Sequence, residues 1–187
     1  MRWQSVLVFL VLGPQSAISF LGPHNFLSTR SPTSFSKLRI RSSARECSLA
    51  DAGGCLEQAG ASGIESLSTA GKVLAKASEN FIVSWDDTAD ELYSCADAFE
   101  SAASECKSSD PKLAAFLDLA AEEMRAASEV SGCLSAAPSA AAPNLLSFSA
   151  ILADAAQHVA ANDSVLSESI SGASQAMAHF VAAVEES

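Results

Sequence analysis

The chain has 187 residues, of which 49% are hydrophobic, and its 22 acidic and 11 basic residues give a formal net charge of −11. This length is enough for one ordinary domain with a buried core. Residues 1–45 hold six of the basic residues and no acid, so residues 46–187 have a formal net charge of −17, which repels phosphate backbones and argues against nucleic acid as a partner.

The first 19 residues predict a signal peptide. A basic start at Arg2 precedes an apolar run at residues 6–13 that is too short to span a bilayer. Ala17-Ile18-Ser19 is a small-x-small cleavage site, and cleavage there makes Phe20 the new N-terminus.

Residues 20–45 predict a transit peptide, because they are rich in Ser, Thr and Arg and contain no acid. A signal peptide followed by a transit peptide is a bipartite targeting sequence. It resembles the leaders of plastid proteins in algae with complex plastids, in which an aromatic residue with a nearby Pro, here Phe20 and Pro23, follows the signal cleavage. The predicted location is therefore the plastid, with stroma and thylakoid lumen both open. The alternative is a secreted protein with a basic propeptide.

From Glu46 onward, heptad-like apolar spacing recurs in five segments. No alternating apolar and polar run competes as a strand. Residues 46–187 therefore predict a single all-α domain, an Ala-rich helical bundle or shell of four or five helices. The five stripes are Ile64, Leu67, Leu74 and Phe81; Leu92, Cys95, Phe99, Ala102 and Cys106; Leu113, Leu117, Ala120, Met124 and Ala127; Leu145, Phe148, Leu152, Ala155 and Val159; and Leu166, Ile170, Ala173, Met177, Phe180 and Val184.

Capping residues and helix breakers predict the boundaries. Ser109-Asp110-Pro111 places a capping residue before a Pro at the first helical position. Ser131-Gly132 predicts the end of that helix, and residues 133–144, with two prolines, predict a loop. Asn162-Asp163 separates the last two predicted helices.

The apolar stripes are thin, because many of their positions are Ala, Ser or Cys. Helices lined in this way either approach closely and pack dry, or stay apart around a space that a ligand fills. A space left unfilled would cost about 24 cal/mol per Å³. The residues alone leave both arrangements open.

The sequence shows no catalytic motif: no Gly-rich phosphate loop, no paired-His metal spacing, no C-x-x-C and no nucleophile motif. Glu122 and Glu123 are adjacent on a predicted helix and point about 100° apart, so they cannot act as a carboxylate pair. His158 and His179 are single residues on separate helices, where a surface or bundle-edge position is expected. The sequence therefore predicts a protein that is not an enzyme.

The five cysteines allow two interpretations. Cys95 and Cys106 lie on one stripe, about three turns apart, which is too far for a mutual disulfide and suits two small buried side chains. In a secreted protein, Cys47 with Cys55 and Cys95 with Cys133 would instead join two helical hairpins.

The cysteine spacing, together with one predicted helix, is similar to that of plant invertase and pectin methylesterase inhibitors. The residues that carry this similarity on the helix are Leu92, Cys95, Phe99 and Ala102. The similarity implies a secreted inhibitor as an alternative function.

Short motifs in the helical part carry a second resemblance. K-x-L-x-x-A-S-x-x-F at residues 72–81 is followed by V-S-W-D-D at residues 83–87, S-D-P-K-L at 109–113, E-V-S-G at 129–132 and a helix at 149–163. In this order they resemble a repeat unit of the peridinin–chlorophyll a-binding proteins, the soluble light-harvesting proteins of dinoflagellates.

This second resemblance covers residues 64–170 in patches and implies a helical shell around chlorophyll a and a peridinin-type carotenoid. Glu123 and Met124 stand where the family has a His pair, one of which holds the chlorophyll magnesium through a water. A carboxylate can serve a magnesium ion or its water, because hard cations take oxygen ligands; no other metal is expected. The further residues that the resemblance implies in pigment binding are Phe81, Trp85, Phe99, Phe116, Leu117, Phe148 and Leu152.

The function that the resemblance implies is light harvesting in the plastid, with excitation energy transferred between bound pigments. Its implied partners are the pigments and membrane antenna or photosystem proteins, and the half-length unit implies a homodimer. The alternative is a non-pigment helical interaction protein, either a plastid assembly factor or the secreted inhibitor.

Overall fold

The structure, a computed structural model, describes residues 48–132 and 136–186. This part of the chain forms six α-helices and contains no strand, which confirms the predicted all-α bundle. The predicted signal peptide and transit peptide lie outside the described residues. The helices are α1 (48–60), α2 (Glu65–Asn80), α3 (Trp85–Cys106), α4 (Pro111–Ser128), α5 (Ala137–Val159) and α6 (Ser164–Glu185).

The helices run up and down, and neighbours in sequence are neighbours in space. α2 packs against α3, α3 against α4, α4 against α5 and α5 against α6. α1 is antiparallel to α2, because Gly60 at the end of α1 lies against Ser68 near the start of α2. α1 also contacts α6, where Cys55 Sγ lies beside Gly172. The first helix therefore lies between the second and the last.

Small residues let two pairs of helices approach closely. A Cβ atom added at Gly53 would lie 2.6 Å from the carbonyl oxygen of Gly71, so the backbones of α1 and α2 touch. Between α5 and α6, Ser149 Oγ donates to the carbonyl of Ser174 at 2.8 Å, and Ser174 Oγ donates to the carbonyl of Ser149 at 2.7 Å. These bonds satisfy buried hydroxyls between two close backbones. At both seams the thin side chains produce close packing.

The predicted helix boundaries at Asp110 and Asp163 are confirmed. Asp110 Oδ1 accepts a hydrogen bond from the backbone N–H of Leu113 at 2.9 Å, and Asp163 Oδ1 accepts one from Leu166 at the same distance. Each carboxylate satisfies an N–H group that has no partner within its helix. α4 ends at Ser128, shortly before the predicted Ser131-Gly132 boundary.

The structure differs from the sequence prediction in two places. The predicted loop at residues 133–144 is wrong from Ala137 onward, because α5 begins there. Pro138 lies in the first turn, where an N–H group would have no helical partner, and Pro143 lies on the exposed side of the helix. α1 is an additional helix, whose Gly53-Gly54 pair and two leucines give only a weak apolar stripe.

Candidate functional site

Most of the residues that the second resemblance implies in pigment binding lie in the core. Phe99 of α3 and Phe148 of α5 meet edge to face, with ring centroids 5.3 Å apart, and Phe81 meets Phe180 of α6 in the same way at 5.1 Å. At these positions the interior is filled by the protein's own side chains. The buried residues of the set are Phe81, Trp85, Phe99, Leu117, Met124, Phe148 and Leu152.

Trp85 joins three helices at one end of the bundle. Its indole Nε1 donates to the carbonyl oxygen of Val130 at 2.7 Å, so the start of α3 is bonded to the chain just beyond α4. Its ring meets that of Phe81, at the end of α2, edge to face at 6.3 Å. The indole is therefore satisfied within the protein although Trp85 is only 3% exposed.

Glu122, Glu123 and Met124 point in different directions from α4. Met124 is fully buried, Glu123 is half-buried and Glu122 is exposed. Of the two residues at the positions of the family's His pair, only Met124 faces the core. The carboxylate of Glu123 forms no hydrogen bond or ion pair with any of the described residues. Glu123 is thus a half-buried acid with no partner among residues 48–132 and 136–186.

Ion pairs connect α4 to α3 along the edge of α4 that faces α3. Arg125 Nη1 donates to Glu100 Oε1 at 2.6 Å, and Nη2 donates to Asp97 Oδ1 at 3.0 Å. The guanidinium also lies 5.4 Å from the centre of the Tyr93 ring. The hydrogen bond from Arg125 lowers the pKa of Glu100. Both carboxylates that meet Arg125 on this edge are therefore engaged.

The opposite edge of α4 faces α5 and carries Glu123. The ring of Phe116 lies 6.1 Å from that of His158 on α5. Seven residues are almost two helical turns, so Glu123 shares an edge with Phe116, and Ile151 shares one with His158. Because α4 and α5 are antiparallel, Glu123 and Ile151 lie at the same level. We call the surface formed by Phe116, Leu119, Glu123, Ile151 and His158 the α4–α5 groove.

The α4–α5 groove combines apolar and charged side chains, because the Lys112 ammonium lies over the Phe116 ring, 5.8 Å from its centroid. Phe116 and Ile151 are half-buried against the core, and Leu119 is 47% exposed. His158 closes one end, where its Nε2 lies 2.9 and 3.0 Å from the two carboxylate oxygens of Asp110. A ligand with an apolar body and a group that meets a carboxylate would fit this arrangement.

No known protein family, curated protein or solved structure matches this chain. The described residues also contain no cluster of three or more His, Cys, Asp or Glu side chains able to hold a metal ion. Among the same residues, no helix combines the length and the apolar character that crossing a membrane requires.

The described residues include three cysteines, Cys55, Cys95 and Cys106, and no disulfide joins any two of them. Cys95 is fully buried, with its Sγ 3.7 Å from the carbonyl oxygen of Ala70, and burial raises the pKa of its thiol to about 12. Burial also raises the thiol pKa of Cys55 and Cys106. Cys47 and Cys133 lie outside the described residues, so both pairings of the secreted alternative stay predictions.

The sequence indicated Phe116 and Glu123 separately but did not indicate Ile151, or that His158 lies beside Phe116. One sequence feature could have indicated the pairing. Phe116 and Glu123 are seven residues apart, and so are Ile151 and His158. That spacing shows which side chains share an edge of a helix. Which neighbouring helix each edge faces depends on the tertiary arrangement.

Proposed function

We propose that residues 46–187 form a plastid light-harvesting protein that binds chlorophyll a and a peridinin-type carotenoid, with chlorophyll in the α4–α5 groove. Glu123 would serve the magnesium ion, directly or through its water. Phe116, Leu119 and Ile151 would contact the apolar ring system. Bound pigments would supply light absorption and excitation transfer, while the chain sets their positions and keeps water away.

The observation that carries this proposal is the environment of Glu123. An acid at a protein surface is ordinarily solvated or paired, as Asp97 and Glu100 are on the other edge of α4. Glu123 is instead half-buried and unpaired among the described residues, on the edge of α4 that also carries Phe116. It is also a residue that the resemblance to the peridinin–chlorophyll a-binding proteins places at the magnesium.

A pigment would bind the groove more readily than the core. The groove offers a carboxylate and apolar contacts that are open to solvent on one side. The core positions Phe99 and Phe148 are in ring contact, so a pigment between them would require α3 and α5 to separate. Chlorophyll in the groove requires no such movement. We therefore assign chlorophyll to the groove and propose that the carotenoid lies along the same surface.

Pigment reconstitution with a matched pair of variants tests the proposal. The protein is mixed with chlorophyll a and peridinin, freed of unbound pigment, and measured for visible absorption and for chlorophyll emission after carotenoid excitation. Glu123→Ala removes the ligand and should reduce retained chlorophyll by about tenfold or more, the usual cost of disturbing a metal site. The control Glu122→Ala changes an exposed neighbour and should retain the wild-type amount. Colourless wild-type protein would refute the proposal.

A non-pigment helical interaction protein is the second candidate, and the filled core favours it. The edge-to-face contacts of Phe99 with Phe148 and of Phe81 with Phe180 fill these core positions with the protein's own side chains. Its partners would be membrane antenna or photosystem proteins if it is an assembly factor, or a target enzyme if it is a secreted inhibitor. Mass mapping separates the last two, because the inhibitor requires a Cys95–Cys133 disulfide.

A further inference from the structure

The turn between α2 and α3 exposes two apolar side chains at one end of the bundle. Ile82 is 47% exposed and Val83 is 79% exposed, although the flanking Phe81 and Trp85 are buried. Apolar surface in contact with water is unfavourable, so a second surface that covers these side chains would lower the free energy of the protein.

Exposed acidic residues flank this apolar pair along the chain. Asp86 and Asp87 lie in the first turn of α3 and Glu79 in the last turn of α2, and all three are exposed. Asp86 and Asp87 form no ion pair with another of the described residues, whereas Glu79 is one of the two acids whose charge raises the pKa of Lys76. The surface formed by Glu79, Ile82, Val83, Asp86 and Asp87, which we call the α2–α3 tip, therefore suits a partner with apolar and basic side chains in alternation.

The chain itself carries such a segment directly before α1. Residues 37–41 read Lys-Leu-Arg-Ile-Arg, with two apolar side chains between three basic ones. α1 begins by residue 48 and is antiparallel to α2, so the chain enters the bundle at the end where α2 finishes. That end is the one that carries the α2–α3 tip.

We propose that residues 37–41 bind the α2–α3 tip of the same molecule. Leu38 and Ile40 cover Ile82 and Val83, while the basic side chains of the segment meet the acids of the tip. The six residues 42–47 can span about 20 Å, and α1 and α3 flank α2 at interaxial distances of roughly 8–10 Å each, so the segment reaches the tip. Removal of the predicted transit peptide then uncovers the tip for another basic, apolar segment.

Zero-length cross-linking of the full chain tests this contact. A carbodiimide joins a lysine amine directly to a carboxylate, so an amide between Lys37 and Asp86, Asp87 or Glu79 should be the main product that contains Lys37. Raising the ionic strength from about 0.02 M to about 0.5 M shortens the screening length from roughly 20 Å to roughly 4 Å and should lower its yield several-fold. Mixing ¹⁴N- and ¹⁵N-labelled chains separates contacts within one molecule from contacts between two.

A pair of variants tests the apolar part of the contact. Ile82→Ser with Val83→Ser leaves every charge in place and should lower the cross-link yield by about fivefold, because the segment loses its apolar contact. Val165→Ser is the matched control, since Val165 is 63% exposed in the first turn of α6, at the other end of the bundle. Lys37 cross-links spread evenly over the acids of all helices, or found mainly between chains, would overturn the proposal. The contact involves no residue of the α4–α5 groove, so its failure and the failure of pigment binding are separate results.

Discussion

Gly53 and Gly71 show how much a single methyl group matters in this bundle. Each lies where the backbones of α1 and α2 touch, and a Cβ atom at Gly53 would lie 2.6 Å from the Gly71 carbonyl oxygen and 2.9 Å from the Ala75 backbone nitrogen. The clashing atoms belong to the backbone, so a change of side-chain rotamer cannot relieve the clash. Gly53→Ala should therefore lower the free energy of unfolding by about 1–3 kcal/mol, the usual cost of overpacking, measured by urea unfolding.

Gly54 provides the adjacent control. A Cβ atom at Gly54 would have no neighbour within 4 Å. Gly54→Ala should raise the free energy of unfolding by about 0.5–1 kcal/mol, because alanine loses less backbone freedom than glycine when a helix forms. Equal effects of the two substitutions would show that α1 does not lie against α2 at Gly53.

At the scale of the helix, Asp110 does more than cap α4. It accepts a hydrogen bond from the Leu113 N–H and also contacts His158, whereas Asp163 caps α6 through Leu166 and contacts no histidine of the described residues. Asp110→Ala and Asp163→Ala should each cost about 1 kcal/mol for the lost cap. Asp110→Ala should cost up to about 1 kcal/mol more for the partly exposed pair with His158. Thermal unfolding in a His158→Gln background should remove this excess.

The contribution of Asp110 also depends on pH. Its pKa is lowered, first by the hydrogen bond from the Leu113 N–H and then by that from His158. A carboxyl group with a lowered folded-state pKa stabilises the protein fully above its unfolded-state pKa, about 3.9, and the stabilisation is lost as the pH falls through the lower folded-state value. The stability difference between wild type and Asp110→Ala should therefore shrink below pH of about 4. A difference that stays constant in acid would contradict this assignment.

Local signals predicted the helices that carry strong stripes and caps. The stripe from Leu113 to Ala127 and the capping residues Asp110 and Asp163 are features of a few neighbouring residues, so the sequence was sufficient. α1 was missed because Gly53 and Gly54 weaken its stripe, although glycine is what its close packing requires. The start of α5 was missed because its prolines indicate a loop, while the buried Pro138 lies in the first turn of the helix.

The candidate site could be predicted only in part, because its residues come from two helices. The resemblance indicated Glu123 and Phe116, but the contact of Phe116 with His158 joins residues 42 positions apart. No local sequence pattern predicts which edge of α4 packs against α5. The same limit applies to the reciprocal bonds of Ser149 and Ser174, whose partners are 25 residues apart.

At the scale of the whole molecule, the excess of acids should make stability depend on salt. Residues 46–187 hold 22 acidic and five basic residues, so repulsion among the acids opposes the compact state. Sodium chloride screens this repulsion and should raise the melting temperature. A gain of about 1 kcal/mol corresponds to roughly 3–6 °C for a domain of this size.

Potassium chloride at equal ionic strength is the control, because it should give the same gain if screening is the cause. A melting temperature that falls as salt is added would contradict the prediction, since it would mean that ion pairs such as those of Arg125 outweigh the repulsion.

The hydrogen bond between Trp85 and Val130 also gives the domain an internal optical reporter. The chain has two tryptophans, Trp3 in the predicted signal peptide and Trp85, so removal of the leader leaves one indole. That indole is 3% exposed and is bonded 2.7 Å from a carbonyl 45 residues away. Because indole emission moves to longer wavelength in water, its fluorescence follows the separation of α3 from the chain beyond α4, without any introduced label.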